Sequence, residues 1–203
     1  MLNIALFGTS ADPPTAGHQA ILVWLSQHFD RVAVWAADNP FKSHATPLLH
    51  RMAMLQLLLD DINPPRYNLH LYPELSKSRT IHTLEIAETL WTDAAFTLVV
   101  GSDLIDQLPN WYQSETLLER VNLLIIPRPG FVLNVMALAS LKRKGAKLTI
   151  ANLTGPDISS TAYREHGDTD ALTPPIEAYI HREQLYPCQN ASNAKQPIHQ
   201  PIH

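Results

Sequence analysis

The stretch Leu2-Asn3-Ile4-Ala5-Leu6-Phe7-Gly8-Thr9-Ser10-Ala11-Asp12-Pro13-Pro14-Thr15-Ala16-Gly17-His18 decides the fold. Residues 2–7 are a compact apolar run, the length of a buried strand, and the run stops at Gly8. A proline-rich loop follows. Beyond it His18, Ile21, Leu22, Leu25 and Phe29 recur at helical spacing on one face. The same rhythm returns down the chain. Arg31–Ala36 predicts a second strand, and 47–60 a helix with Leu48, Met52, Leu55 and Leu59 inward. A strand is expected over 67–71 and a helix over 83–91, with Leu84, Ala87 and Leu90 or Trp91 as its apolar face. Buried strands are expected at 96–100 and 121–126, a short helix at 115–120, a helix at 132–144 ending before Gly145, and a last strand at Lys147–Ile150. Short apolar strands alternating with helices imply an α/β fold, a parallel sheet covered on both faces with right-handed crossovers. Ligands in such sheets sit at the carboxyl ends of the strands.

Composition narrows the class. With 203 residues, 45% of them hydrophobic and 17% charged, the chain can build one ordinary core and reads as a single domain rather than a disordered or coiled-coil sequence. Fifteen Lys+Arg against nineteen Asp+Glu give a net charge of −4, too little positive charge for a protein that wraps nucleic acid. Any phosphate must therefore be met by local groups. Cys188 is the only cysteine, which excludes an intrachain disulfide, a cysteine-rich zinc site and a CxxC pair, and suits the reducing cytoplasm. The first residues lack the basic and apolar regions of an export signal, and no stretch has the length of a membrane span. From Gln189 the composition turns to Asn, Ala, Lys, Gln, Pro and His without apolar periodicity, so the domain is expected to cover 1–188 and 189–203 to form a disordered, solvated tail.

The loop after the first strand carries candidate chemistry. A helix amino terminus offers unpaired N–H groups and partial positive charge, a ready place for phosphate. Gly8 and Gly17 permit close backbone approach, the prolines stiffen the loop, Thr15 supplies a hydroxyl and His18 an imidazole. The bland alternative is that Thr15 caps the helix and His18 packs at its base. The two common phosphate signatures, GxxxxGK[ST] and GxGxxG, are absent, which argues against a P-loop NTPase or a dinucleotide-binding dehydrogenase.

Thr15-Ala16-Gly17-His18 resembles the [HT]xGH signature of the nucleotidylyltransferase superfamily, and Ile158-Ser159-Ser160-Thr161-Ala162-Tyr163-Arg164 resembles its late ISSTxxR signature. Between them lie Gly101-Ser102-Asp103, then Leu108-Pro109-Asn110-Trp111, then Pro127-Arg128-Pro129-Gly130. In that order they are similar to the GxD, LPxW and PRPG of the nicotinate-nucleotide adenylyltransferases. Ser78-Arg79-Thr80-Ile81-His82-Thr83-Leu84 resembles that family's SYTxDTL, and 176–186 resembles its closing helix. Among the departures from the pattern, Thr15 stands where this subfamily usually has His, Ala11 replaces the Phe of FDP, and Arg79 replaces the Tyr beside Thr80.

The resemblance implies a Rossmann-like sheet and transfer of AMP from ATP to nicotinate mononucleotide, releasing pyrophosphate. It implies that Thr15 and His18 are catalytic and that Gly8, Thr9, Ser10, Gly17, Lys42, Ser160, Thr161 and Arg164 hold ATP. Thr80, Thr83, Gly101, Asp103, Trp111 and Arg128 would hold the mononucleotide, with Trp111 stacked on the pyridine ring. Mg²⁺ would arrive bridging phosphates through water, with no dedicated protein cage. No nucleic-acid or membrane partner is implied, and a homo-oligomer stays open. Two alternatives remain: phosphopantetheine adenylyltransferase, which also uses TxGH, and a non-catalytic nucleotide-binding regulator.

Overall fold

The computed structural model describes residues 1–38, 45–153 and 158–186. Lys42 and the tail from Gln189 lie outside the described residues. Six strands form one parallel sheet: β1 (Leu2–Thr9), β2 (Arg31–Ala36), β3 (Leu69–Leu71), β4 (Ala94–Gly101), β5 (Asn122–Ile126) and β6 (Lys147–Ile150), in the order β3-β2-β1-β4-β5-β6. Successive strand residues point to opposite faces, yet Ile4, Ala5 and Leu6 are all buried, so both faces of the sheet are covered. The covering helices are α1 (Ala16–His28), α2 (Leu48–Asp60), α3 (Thr80–Leu90), α4 (Ser114–Arg120), α5 (Val135–Arg143), α6 (Ser160–His166) and α7 (Pro174–Arg182).

The topology places the site. Strand order reverses between β1 and β4, which pair from Leu2↔Ala94 to Leu6↔Leu98, so the connections leaving these two neighbours diverge and open a crevice at their carboxyl ends. β1 ends on the Gly8–His18 loop and β4 ends on Gly101.

Element boundaries shift from the expected ones in ways that matter. α3 begins at Thr80, earlier than the periodicity suggests, because Arg79 supplies an extended N-cap without a side-chain cap bond. The apolar pattern alone cannot see such a start. α5 begins at Val135 rather than 132, since the Asn134 side chain accepts from the N–H groups of Met136 and Ala137 and caps the helix there. On α2 the buried face is Arg51, Met52, Met54, Leu55 and Leu58, with Leu48 and Leu59 only half-buried. The face is turned relative to the expected one because an arginine lies inside it.

Candidate active site

A cleft of about 850 Å³ lies over the carboxyl ends of β1 and β4. Most of the residues proposed from the motifs converge on it: Gly8, Thr9, Ser10 and His18 from the first loop, Thr80 and Thr83 from α3, Gly101, Asp103 and Trp111 after β4, Arg128 after β5, and Ser160, Thr161 and Arg164 from the last motif. Its floor is flat at Gly8. A Cβ there would fall 2.5 Å from the Trp35 indole, which packs against the glycine from β2. Only a residue without a side chain leaves the first loop close to the sheet.

His18 is held in one tautomer. The backbone N–H of Thr15 donates to His18 Nδ1 at 3.1 Å, and an N–H can only donate, so Nδ1 carries a lone pair and the proton sits on Nε2. The Thr15 hydroxyl lies 2.8 Å from the same Nδ1 and acts as a second donor. Nε2–H then donates to Thr9 Oγ1 at 2.9 Å, on the side of the ring that lines the cleft. The imidazole takes the place that Glu or Gln fills in an ordinary capping box, reaching back from the third helical residue to the N-cap N–H. The bland reading, a Thr15 N-cap with His18 folded back on it, is the one these bonds display. Thr15 is fully buried and does not line the cleft, so it touches His18 rather than a bound nucleotide. Gly17 is buried beside it and likewise stands behind the wall.

The last motif is bolted to the first. Ser160 Oγ donates to Pro13 O at 2.7 Å, and Arg164 donates to Asp12 O and, at 3.2 Å, to Thr161 Oγ1. Ser159 caps α6 by accepting from Ala162 N–H. Ser160 therefore spends its proton on the loop, which leaves Thr161 and Arg164 as the exposed polar groups of this motif in the cleft. On the far wall Arg128 pairs with Asp103 at 3.0 Å, and its backbone N–H donates to Ser102 Oγ. Thr83 is buried and its hydroxyl donates to Leu75 O at 2.9 Å, a contact that ties α3 to the turn below it.

Two supports were invisible in the sequence. Arg51, 1% exposed on α2, donates to the carbonyls of Ser10 and Ala37 at 2.9 Å and of Thr46 at 3.1 Å. Burial lowers its pKa from the usual arginine value, opposed by the neighbouring Asp12 and Asp38 carboxylates. Asp12, also buried, accepts from Tyr186 O–H at 2.6 Å and from Ala45 N–H at 2.7 Å. Burial, then the bond to Asp12, pushes the Tyr186 phenol well above its ordinary pKa. The loop after β1 is thus clamped from below by α2 and from the side by Tyr186, beyond the end of α7. Nothing in hydrophobic period or short motif marks either residue. Trp35, Lys77, Arg79 and Tyr112 also line the cleft without having been singled out as binding residues.

Comparison with known proteins agrees with this geometry. Residues 6–166 match the cytidylyltransferase-like family. The chain is 43% identical to a probable nicotinate-nucleotide adenylyltransferase of Synechocystis, over 91% of this chain and 99% of that protein. It is 26% identical to the nicotinate-nucleotide adenylyltransferase of Bacillus subtilis, over 92% and 99% of the two chains. The fold is shared with Plasmodium falciparum nicotinic acid mononucleotide adenylyltransferase solved with NaAD, at a TM-score of 0.79 and 23% identity over 92% of this chain and 98% of that one. The chain belongs to the cytidylyltransferase-like family and, within it, to the nicotinate-nucleotide adenylyltransferases.

Proposed function

We propose that the chain joins ATP and nicotinate mononucleotide, forming nicotinate adenine dinucleotide and pyrophosphate. The observation that carries this reading is the continuity of the cleft. His18, Thr9, Thr161 and Arg164 line the same cleft as Trp111, Tyr112 and Thr80, within about 850 Å³. That volume lies toward the upper end of ligand pockets, roughly 300–1,000 Å³, as two nucleotides in one site require.

The chemistry needs no covalent intermediate. A 5′-phosphate oxygen of the mononucleotide attacks the α-phosphorus of ATP, the new P–O bond forms as the bond to the β-phosphate oxygen breaks, and pyrophosphate leaves with the electron pair. The nucleophile is already an anion, so catalysis rests on positioning and charge stabilisation. His18 Nε2–H exchanges Thr9 Oγ1 for an α-phosphate oxygen, while Thr15 keeps the opposite nitrogen unprotonated. Arg164 and Thr161 face the leaving pyrophosphate, and the anchoring of Arg164 and Ser160 to the loop keeps both halves of the phosphate site in register. Arg128, with Asp103 at its side, faces the mononucleotide. Trp111 offers an aromatic surface to the pyridine ring.

Mg²⁺, when bound, would neutralise phosphate charge. Among the described residues no group of three His, Cys, Asp or Glu side chains converges to hold a metal, and Asp103 is engaged by Arg128, a donor set that suits an ion carried by the triphosphate through water. No described helix is long and apolar enough to cross a membrane. Work in the cytoplasm is part of the proposal, with a homo-oligomer left open. A pyrophosphate-release assay with nicotinate mononucleotide, nicotinamide mononucleotide and phosphopantetheine tests it. Turnover with nicotinate mononucleotide is expected. Turnover with phosphopantetheine alone overturns the acceptor, and ATP binding without pyrophosphate from any acceptor overturns the reaction.

A further inference from the structure

Beyond the end of α7 the backbone at Tyr186 takes a left-handed conformation, φ 53°. Bulky residues rarely adopt it, and such strain persists where surrounding contacts over-determine it. Two contacts hold Tyr186. Its hydroxyl donates to one oxygen of the Asp12 carboxylate at 2.6 Å, and its ring meets Tyr163 edge-on, with centroids 5.8 Å apart and planes at 89°. Ala45 N–H donates to the other carboxylate oxygen at 2.7 Å, so Asp12 is fixed at both. Both partners of Tyr186 adjoin one group. The backbone carbonyl of Asp12 accepts from Arg164, and Tyr163 directly precedes Arg164 on α6. The next carbonyl, that of Pro13, accepts from Ser160 Oγ at 2.7 Å, at the start of the same helix. One half-buried phenol therefore touches both the loop residue that accepts from the Arg164 guanidinium and the helix that carries the Arg164 backbone.

We propose that Tyr186 is a positioning residue for the phosphate site: it aims the Arg164 fork at the leaving pyrophosphate by fixing the Asp12 carbonyl and the Tyr163 turn of α6 at once. The assignment rests on the proposed adenylyl transfer, in which Arg164 meets the pyrophosphate. Arg164 lines the cleft and Tyr186 does not, so the phenol acts through its neighbours and touches no substrate. An exposed arginine is free to sample many rotamers unless its acceptors hold it. Here one terminal nitrogen of the fork donates to Asp12 O and the other to Thr161 Oγ1 at 3.2 Å, so the plane of the guanidinium is set by these two acceptors. If the Asp12 peptide turns, the fork turns with it. Stabilising the charge that builds on a leaving group depends on donors already aimed at that place before the reaction begins. The two contacts of Tyr186 also separate by substitution. Tyr186→Phe removes the bond to Asp12 and keeps the ring against Tyr163; Tyr186→Leu removes both.

The experiment follows dinucleotide formation by chromatography for wild type, Tyr186→Phe, Tyr186→Leu, Arg164→Gln and the double variant Tyr186→Phe/Arg164→Gln. ATP and nicotinate mononucleotide are varied in turn, and pyrophosphate is added as a product inhibitor. In Tyr186→Phe kcat/KM for ATP is expected to fall about three- to tenfold and the inhibition constant of pyrophosphate to rise by a similar factor, the scale of one lost hydrogen bond. Both changes should be larger in Tyr186→Leu. The KM for nicotinate mononucleotide should stay within about twofold in either variant. The double variant tests the route: because Tyr186 acts through Arg164, adding Tyr186→Phe to Arg164→Gln should cost less than about twofold more. Losses that multiply in the double variant, an equal rise of KM for both substrates, or a wild-type pyrophosphate constant in Tyr186→Phe overturns the assignment. Melting curves accompany each variant; if a lower melting temperature is the only change, or if neither the Phe nor the Leu chain folds, Tyr186 is a structural support and the proposal falls. Wild type that forms no dinucleotide defeats the parent reading as well, whereas active wild type with multiplying losses in the double variant defeats the Tyr186 assignment alone.

Discussion

Replacing Thr15 by Val separates a residue that positions the His18 imidazole from one that touches the nucleotide. Valine preserves the branched shape in a fully buried site and removes only the hydroxyl that lies 2.8 Å from His18 Nδ1. The Thr15 backbone N–H, 3.1 Å from the same nitrogen, stays and still excludes a proton from Nδ1. One of two restraints is lost. A neutral hydrogen bond contributes about 0.5–1.5 kcal/mol net, and about 1.4 kcal/mol is a factor of ten in rate, so kcat should fall roughly two- to twelvefold. The KM for ATP should hold within about twofold, because the side chain does not reach the cleft. The assay is initial-rate pyrophosphate release at saturating mononucleotide with ATP varied, together with a melting curve. A tenfold or larger rise in KM for ATP at unchanged kcat would show that Thr15 binds nucleotide directly and refute the positioning role. A loss as deep as that of a chain without His18 would show that the backbone donor holds nothing on its own.

His18→Ala removes the donor proposed to meet the α-phosphate, and kcat should fall on the order of a hundredfold or more, read in the same assay, while the buried Thr15 N–H and hydroxyl lose their acceptor and the melting temperature falls as well. Arg51→Met fills similar volume but leaves the carbonyls of Ser10, Ala37 and Thr46 without their donor; at about 1–3 kcal/mol per unsatisfied buried group, urea unfolding should show a loss of about 3 kcal/mol or more. Tyr186 has a folded pKa raised above its unfolded value of about 10, so its contribution is complete below that pH and is lost as pH climbs beyond it. Urea midpoints of wild type should therefore fall more steeply above about pH 10 than those of Tyr186→Phe, and parallel curves would remove the Asp12–Tyr186 bond from the account.

The fold was legible because its causes are local. Each central strand carries a near-continuous apolar run, since in a parallel sheet covered on both faces the middle of the strand is buried on either side, and each covering helix keeps an apolar stripe. Arg31–Ala36 and Lys147–Ile150 were placed to the residue. Helix starts were less legible where the cap carries no side-chain signal, as at Arg79, or where an asparagine inside an apolar run delays the start of the helix, as at Asn134. On α2 the periodic reading placed Leu48 and Leu59 inward, because amphipathic logic assigns an arginine to the solvent face; three backbone carbonyls outweigh that preference for Arg51.

The sequence by itself determined the order of strands and helices, the place of the two hydroxyl-rich loops after strand ends, and the chemical types gathered there. Tertiary structure alone decided which residues of those loops line the cleft. Thr15 and His18 are neighbours in one motif, yet one is sealed behind the wall and the other lines the cleft, because the ring must fold back on the N-cap to present Nε2. Ser160 and Arg164 reach Pro13 and Asp12, and Tyr186 reaches Asp12, across nearly the whole chain. Hydrogen bonds of that span leave no period or spacing in a sequence, for they depend on where packed elements bring two distant backbones together, and that is settled only when the sheet is closed by its helices.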